Sequence, residues 1–116
     1  MQGNILADDV FFGRMNDPTG SGVITGPCGD TMEFYIYVRN GVLEDVKYHT
    51  DGCGATRACG LAVARRARGR NITDALSISA GEIIRSGECE PNEGRHCAIL
   101  AVSTFYRAVA DYLLKP

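Results

Sequence analysis

Apolar and polar side chains alternate strictly over residues 31–39, TMEFYIYVR. The apolar positions share one face of an extended chain, which predicts a half-buried β-strand: Met32, Phe34, Ile36 and Val38. Asn-Gly follows at 40–41 and precedes a second strand-like run at 42–50. Because both central residues of a tight hairpin turn need positive φ, this pair predicts a hairpin between the two runs. GVIT at 22–25 is expected to supply a third, antiparallel strand.

A helical period replaces the alternation after the second run. Apolar residues at helical spacing predict a helix over 55–68 that ends at a Gly-Arg pair. Capping residues predict two short helices over 71–78 and 79–87, and 95–114 is typical of a long amphipathic helix. The core stripe of this last helix is expected at five positions: Val102, Phe105, Tyr106, Val109 and Leu113. A further short helix is expected over 4–16.

The order of these elements, with strands first and helices after, is typical of an α+β fold. We expect a small three-stranded antiparallel sheet with helices packed on one face, completed by a long C-terminal helix. A chain of 116 residues has the length of one domain and is large enough to bury a core without staples. Residues 1–116 are therefore expected to form a single domain.

Composition and charge narrow the function classes. Hydrophobic residues make up 45% of the chain and charged residues 22%, as in folded soluble proteins. The net charge of −2 provides no positive field for a nucleic acid partner. No run approaches the roughly 18 apolar residues of a membrane span, and the first ten residues lack the basic residues of a targeting signal. We therefore expect a cytoplasmic protein that binds neither nucleic acid nor membrane.

Five arginines lie along the helix predicted over 55–68 and just beyond its end, and no acidic residue lies between them: Arg57, Arg65, Arg66, Arg68 and Arg70. The helix dipole favours cations near a helix C-terminus, so a solvated helix face is the simpler interpretation. Docking of an acidic partner is the alternative.

The five cysteines indicate metal binding or thiol chemistry. Their odd number excludes a complete set of intramolecular disulfides, and in a reducing cytoplasm cysteines more often bind metals or react. Cys28 lies between the first two strands, Cys53 between the third strand and the next helix, and Cys97 at the start of the last helix. A helix N-terminus favours the thiolate, which is both nucleophile and metal ligand. Cys59 is expected to be a small buried hydrophobe, and Cys89 an incidental loop residue.

Two polar side chains accompany these boundary cysteines. Asp30 follows Cys28 by two residues, so that both share one face of an extended segment, and His96 precedes Cys97. The spacings exclude a zinc finger, a zinc ribbon and a ferredoxin. The candidate ligands outnumber the four of a tetrahedral ion, and we expect such a mixed set to hold its cargo loosely: Cys28, Asp30, Cys53, His96 and Cys97.

Two glycines, Gly52 and Gly54, flank Cys53. Either they form a turn around a buried cysteine, or their lack of side chains leaves room for a bulky group to contact the sulfur. The residues alone leave both interpretations open.

The motifs taken together resemble one family. GPCGDTMEFYIYVRNGVLEDVKYHTDGCGAT, followed by RHCAILAVSTFYRAVADY, is similar to the IscU/NifU N-terminal family of iron–sulfur cluster assembly scaffolds. The resemblance extends from about Asn16 to the end of the chain. It rests on Cys-Gly-Asp, an Asn-Gly hairpin, Gly-Cys-Gly and a His-Cys pair that opens a long C-terminal helix.

The resemblance implies transient assembly of a [2Fe–2S] cluster on the cysteines that match Cys28, Cys53 and Cys97. The family's aspartate and histidine match Asp30 and His96. A cysteine desulfurase would deliver sulfur as a persulfide to Cys97, and an iron donor, an electron donor and acceptor apoproteins would be further partners. The protein would then be a scaffold and carrier rather than an enzyme. Under this interpretation Gly52 and Gly54 clear space for the cluster.

Two departures from the family pattern matter. Many members carry Leu-Pro-Pro-Val-Lys before His-Cys, which a dedicated Hsp70 chaperone reads, whereas this chain has EPNEG at 90–94. The resemblance therefore does not extend to chaperone recognition. The SufU-type branch, a zinc-dependent sulfur acceptor, usually lacks the histidine and carries an insertion between the second and third cysteines. His96 and an interval of only 43 residues, 54–96, favour the IscU side.

Two alternative functions stay open. One is a zinc-bound sulfur relay of the SufU type, in which Cys97 carries a persulfide and zinc holds the other ligands. The other is a structural interaction module with incidental cysteines, which predicts that the three boundary cysteines lie far apart.

Overall fold

A computed structural model of the chain describes residues 10–27, 29–52, 54–89 and 94–115. The strands are β1 (Gly20–Thr25), β2 (Thr31–Arg39) and β3 (Val42–Thr50). Among the described residues four helices follow: α1 (Gly54–Ala67), α2 (Ile72–Ala75), α3 (Ala80–Arg85) and α4 (Gly94–Leu114). Two of the candidate ligands, Cys28 and Cys53, lie outside the described residues.

The strands form one antiparallel sheet in the order β1-β2-β3. Phe34 at the centre of β2 pairs with Gly22 on one side and with Tyr48 on the other. Asn40 and Gly41 join β2 to β3 with φ angles of 55° and 77°, the conformation that a tight hairpin turn needs. The predicted α+β fold, its three antiparallel strands and its hairpin are confirmed.

The helices cover one face of the sheet and build the core with it. Met32, Phe34 and Ile36 are fully buried on this face. Phe105 of α4 meets the ring of Phe34 edge-on, with the ring centroids 5.8 Å apart. Such an aromatic pair contributes about 1 kcal/mol beyond the area that it buries. The alternation in β2 therefore decides which face the helices pack against.

Two glycines let α4 approach the edge strand closely. A Cβ atom on Gly20 would lie 2.5 Å from the carbonyl oxygen of Ala108, and one on Gly22 would lie 2.8 Å from its amide nitrogen. Backbone atoms of α4 thus lie directly against β1, with the Cβ atoms of Tyr112 and Arg107 beside them. This contact fixes the position of α4, and with it the first turn of the helix.

The far end of α4 departs from the predicted core stripe. Val102, Phe105 and Val109 are buried, but Leu113 is 57% exposed, so its assignment to the core is wrong. Tyr112 lies against Gly20, the first residue of β1, and Leu113 therefore lies beyond the end of the sheet. Residues 95–114 are also long and apolar enough to cross a membrane, yet half of them are buried inside the fold, which is typical of a core helix.

The prediction of an N-terminal helix over 4–16 is wrong for residues 10–16, the part that the structure describes. Residues 10–16 form a turn and a single bridge between Phe12 and Tyr48, and residues 1–9 lie outside the described ranges. Tyr48 N–H donates to the Phe11 carbonyl, and Gly13 N–H donates to the Tyr48 carbonyl, each at 2.8 Å. The edge of β3 therefore offers this segment hydrogen bonds and an aromatic neighbour in place of a helix.

A disulfide joins the two cysteines that the sequence left without a role. Cys59 of α1 and Cys89 are bonded, with Cα atoms 5.7 Å apart, and both are buried. The burial of Cys59 is confirmed, whereas the expectation that Cys89 is an incidental, exposed loop residue is wrong. The segment after α3 folds back onto α1, where Arg66 Nη2 lies 2.5 Å from Glu88 Oε1. Sequence spacing carries no signal for such a return.

The arginines of α1 and its C-terminal end are not a plain solvated face. The guanidinium of Arg57 lies 4.1 Å from the ring centroid of Phe12. Arg66 forms ion pairs with Glu82 and Glu88, and Arg68 reaches Asp45 at 4.0 Å. These side chains tie α1 to the N-terminal segment, to β3 and to the segment around α3. For Arg66 and Arg68, acidic partners are therefore supplied from within the chain, whereas docking of an acidic partner protein stays a prediction.

Candidate functional site

Several chain segments converge at one end of the sheet. They are the turn between β1 and β2, the residues that follow β3, and the first turns of α1 and α4. The described neighbours of Cys28 and Cys53 belong to this end, and so do Asp30 and Cys97.

Asp30 is held by a compact turn. Gly26 N–H donates to the Asp30 carbonyl at 2.8 Å, and Gly29 N–H donates to the Gly26 carbonyl at 3.0 Å. Gly29 has a φ of 94°, a conformation that favours glycine. These bonds turn the half-buried Asp30 side chain toward α1, where Thr56 Oγ1 donates to Asp30 Oδ2 at 2.7 Å.

Thr56 and Cys97 meet in the interior. Thr56 lies in the first turn of α1 and is fully buried, while Cys97 in the first turn of α4 is 7% exposed. Thr56 Oγ1 lies 3.4 Å from Cys97 Sγ, within the range of a hydrogen bond to sulfur. One hydroxyl therefore contacts both a carboxylate and a thiol that come from opposite ends of the chain.

The residues that precede Cys53 are tied to the sheet. Thr50 Oγ1 donates to the Thr31 carbonyl at 2.6 Å and accepts from Gly52 N–H at 3.0 Å. Thr31 N–H donates to Asp51 Oδ1 at 3.1 Å. The backbone that leads out of β3 is thus fixed to the start of β2.

The two glycines around Cys53 differ in their surroundings. A Cβ atom on Gly52 would lie 2.7 Å from Asp30 Oδ2 and 2.9 Å from both Cβ and Oγ1 of Thr56, whereas one on Gly54 would meet no atom within 4 Å. Gly52 therefore clears space for Asp30 and Thr56, and its N–H is used by Thr50. The expectation that both glycines clear space for a bulky group is wrong for Gly52, and Gly54 alone borders open space.

His96 and Cys97 point in different directions. Neighbouring residues on a helix are separated by about 100°, and His96 is exposed where Cys97 is buried. His96 borders a shallow groove of about 170 Å³, whose lining includes Gly26, Pro27 and Ile99. The imidazole therefore lies at the solvent side of the convergence, next to the turn that carries Asp30.

Of the five predicted ligands, the structure brings Asp30 and Cys97 to one hydroxyl and places His96 on the same helical turn as Cys97. Within the described ranges no three His, Cys, Asp or Glu side chains gather as a metal site. The separation of the three boundary cysteines involves Cys28 and Cys53 and is not tested. A thiol, a carboxylate and an imidazole are nevertheless donors that suit zinc and iron.

Sequence reasoning missed Thr56. Its only signal in the sequence is its position three residues after the predicted ligand Cys53. A threonine at this position is equally typical of a helix cap and of a packing residue, so the sequence pattern does not single it out.

A separate charge cluster lies on the open face of the sheet. Arg14 pairs with Glu33 at 2.9 Å, and His49 Nδ1 lies 3.9 Å from the same carboxylate. The hydrogen bond from Arg14 is the main reason why the pKa of Glu33 falls to about 2. Burial raises the pKa of Tyr35, whose hydroxyl donates to Glu33. This cluster ties the N-terminal segment to β2. It does not belong to the group of side chains around Asp30, Thr56 and Cys97.

Comparison with known proteins assigns the chain to a family. Residues 8–116 match the model of the NifU-like N-terminal domain. The chain is 35% identical over 104 residues to the iron–sulfur cluster assembly scaffold protein IscU 1 of Archaeoglobus fulgidus, covering 89% of this chain and 68% of that protein. It is 34% identical over 106 residues to the scaffold protein IscU of Escherichia coli K12, covering 90% of this chain and 82% of that protein.

The fold has solved counterparts. One is a crystal structure assigned to an iron–sulfur cluster assembly scaffold of the SUF system from Fervidobacterium islandicum, with a TM-score of 0.68. The match covers 85% of this chain and 86% of the chain in that structure, at 18% identity. At this identity the likeness supports the fold alone. The extent of the family match and the identity to the scaffold proteins show that this chain belongs to the NifU-like N-terminal domain family.

Proposed function

We propose that the protein is a scaffold for iron–sulfur cluster assembly, which builds a [2Fe–2S] cluster as transient cargo and passes it to apoproteins. Membership of the NifU-like N-terminal family and the identity to IscU scaffold proteins support this proposal. The observation that carries it is the meeting of Asp30 and Cys97 at the Thr56 hydroxyl. A carboxylate and a thiol from distant parts of the chain come together at one end of the sheet.

Within this proposal Cys97 accepts sulfur. Its thiolate attacks the terminal sulfur of a persulfide on a cysteine desulfurase, the S–S bond of that persulfide breaks, and the desulfurase cysteine leaves as a thiolate. Cys97 then carries the persulfide. An electron donor reduces the bound sulfur to sulfide, and an iron donor supplies the metal. The position of Cys97 in the first turn of α4 favours the thiolate that the attack requires.

The other predicted ligands hold the cargo. Cys28 and Cys53 supply thiolates, Asp30 supplies a carboxylate, and His96 supplies an imidazole from the solvent side. An oxygen ligand binds iron less durably than a thiolate, so Asp30 gives the site a ligand that exchanges easily. Easy exchange suits a scaffold, because its task is to give the cluster away.

The same proposal covers the general character of the protein. Residues 1–116 act as one scaffold domain in the cytoplasm, and the protein serves as a carrier rather than as a catalyst. Its partners are the cysteine desulfurase, the iron and electron donors and the acceptor apoproteins. No role is assigned to a dedicated Hsp70, since the family's recognition segment is replaced at 90–94.

A zinc-bound sulfur relay is the second candidate function. The donors that favour it are the carboxylate of Asp30 and the imidazole of His96, which are ligands of structural and catalytic zinc, while Cys97 is kept for the persulfide. In that case zinc occupies the site permanently, and Cys97 passes its persulfide sulfur to an acceptor.

Anaerobic reconstitution distinguishes the two functions. Wild type and Cys97→Ser are incubated with ferrous iron, cysteine, a cysteine desulfurase and a reductant, and their absorption and Mössbauer spectra are compared. The scaffold predicts a [2Fe–2S] signature that is lost or weakened in the variant. A persulfide on Cys97 together with retained zinc and no cluster would favour the sulfur relay instead.

A further inference from the structure

Thr56 occupies an unusual place for a polar side chain. It is fully buried in the first turn of α1, and its hydroxyl reaches two other elements. Oγ1 donates to Asp30 Oδ2 in the turn before β2 and lies 3.4 Å from Cys97 Sγ in α4. Thr56 is thus the junction of three segments that carry predicted ligands.

The hydroxyl has one proton to donate. At 2.7 Å from Asp30 Oδ2 that proton goes to the carboxylate, so the oxygen of Thr56 accepts from Cys97 while Cys97 is a protonated thiol, before it binds metal or attacks a persulfide. The three groups therefore form a directed chain, in which Cys97 donates to Thr56 and Thr56 donates to Asp30. Each member fixes the orientation of the next.

The packing around Asp30 restricts this orientation. Gly52 stands so close that a Cβ atom there would lie 2.7 Å from Asp30 Oδ2 and 2.9 Å from Thr56 Oγ1. The carboxylate oxygen is thus confined between the Gly52 backbone and the Thr56 side chain. Without the hydroxyl, Oδ2 would face a methyl group and would lose its charge-assisted hydrogen bond.

We propose that Thr56 is a positioning residue, which orients the Asp30 carboxylate beside Cys97 so that both meet the metal cargo in a preformed arrangement. The proposal rests on the proposed function only in taking Asp30 and Cys97 as ligands. Groups that hydrogen-bond to metal ligands typically change metal affinity by about 10- to 100-fold when they are removed. Thr56 acts through Asp30, so its effect requires Asp30 to be present.

The test uses the full chain and zinc ion alone as the probe. Zinc affinity is measured by chelator competition for wild type, Thr56→Val, Thr56→Ser and Asp30→Ala. Valine keeps the shape of threonine without the hydroxyl, and serine keeps the hydroxyl. We expect Thr56→Val to weaken zinc binding by about tenfold or more, and Thr56→Ser to stay within about threefold of wild type. In the Asp30→Ala background, Thr56→Val should have no further effect.

A matched control and a metal-free readout separate positioning from folding. Thr104 is also fully buried, and its hydroxyl donates to the Leu100 carbonyl at 2.7 Å within α4. Thr104→Val should therefore leave zinc affinity unchanged. In the metal-free protein, the carbon-13 resonance of the Asp30 carboxyl group should move in Thr56→Val and not in Thr104→Val.

Several outcomes would overturn the proposal. Unchanged zinc affinity in Thr56→Val, an equal loss in Thr104→Val, or full additivity with Asp30→Ala would each exclude positioning through Asp30. An unmoved Asp30 resonance in Thr56→Val would do the same. Failure of the scaffold function looks different, because wild type would then form no cluster in reconstitution while the Thr56 pattern in zinc binding persisted.

Discussion

The two glycines around Cys53 should respond differently to the same substitution. In Gly52→Ala the new methyl group would lie 2.7 Å from Asp30 Oδ2 and 2.9 Å from Cβ and Oγ1 of Thr56. Asp30 can swing aside, but Thr56 Cβ is fixed to α1. The substitution therefore breaks the Asp30–Thr56 hydrogen bond or displaces the start of α1.

The cost of Gly52→Ala follows from these contacts. Forcing a methyl group into a filled site costs about 1–3 kcal/mol, and loss of a hydrogen bond to a charged group adds about 1.5 kcal/mol or more. For a chain of this length a change of 1 kcal/mol shifts the melting temperature by about 4 °C. Together these give about 2.5–4.5 kcal/mol, so we expect the metal-free Gly52→Ala protein to melt about 10–18 °C below wild type.

Gly54→Ala is the matched control. A methyl group at Gly54 meets no atom within 4 Å, and alanine is the better helix former by up to about 1 kcal/mol. The metal-free variant should thus melt at or slightly above the wild-type temperature. If cargo occupies the open space beside Gly54, the same variant should assemble cluster poorly. Calorimetry on both metal-free variants measures the effect, and an unchanged melting temperature in Gly52→Ala would refute the packing argument.

Three further predictions concern the site, the open face of the sheet and the disulfide. Asp30→Ala should lengthen the lifetime of an assembled cluster, because it removes an easily exchanged oxygen ligand; equal or faster decay of the cluster absorbance would contradict this. Glu33 has its pKa lowered from 4.5 to about 2, so it stabilises the fold above pH 4.5 and loses this effect as the pH falls toward 2. Glu33→Gln removes the titrating carboxylate, so the free energy of unfolding in urea should change less with pH in that window, by about 1 kcal/mol. The effect is small because the partner Arg14 is largely exposed. An unchanged pH profile would argue against the ion pair. Reduction of the Cys59–Cys89 bond should lower stability by about 3–4 kcal/mol for a closed loop of this length, and a variant with both cysteines replaced by alanine should not respond to reductant.

Much of the fold could be predicted from local patterns. The alternation in β2, the Asn-Gly turn and the periodicity of α1 and α4 are short-range signals, and each of these elements forms within a residue or two of its predicted limits. The errors arise where a distant segment decides the structure. Residues 10–16 pair with the edge of β3 through Phe12 and Tyr48, and Leu113 lies past the end of β1, which no local pattern indicates.

The site shows the same division. Asp30 and Cys97 could be proposed from motif spacing and from the resemblance, because both stand in short recognisable stretches of sequence. Thr56 could not, since its importance depends on contacts with residues 26 positions before it and 41 positions after it. The role of Gly52 was also misjudged, because its close neighbours are the side chains of Asp30 and Thr56 rather than open space.

The most direct test of the central claim is cluster transfer. Reconstituted, desalted protein is mixed anaerobically with an apo-ferredoxin, and the appearance of holo-ferredoxin is followed by circular dichroism in the presence of a chelator that captures free iron. A scaffold should pass its [2Fe–2S] cluster to the acceptor faster than the chelator removes iron. Retention of the cluster, or transfer abolished by the chelator, would contradict the account.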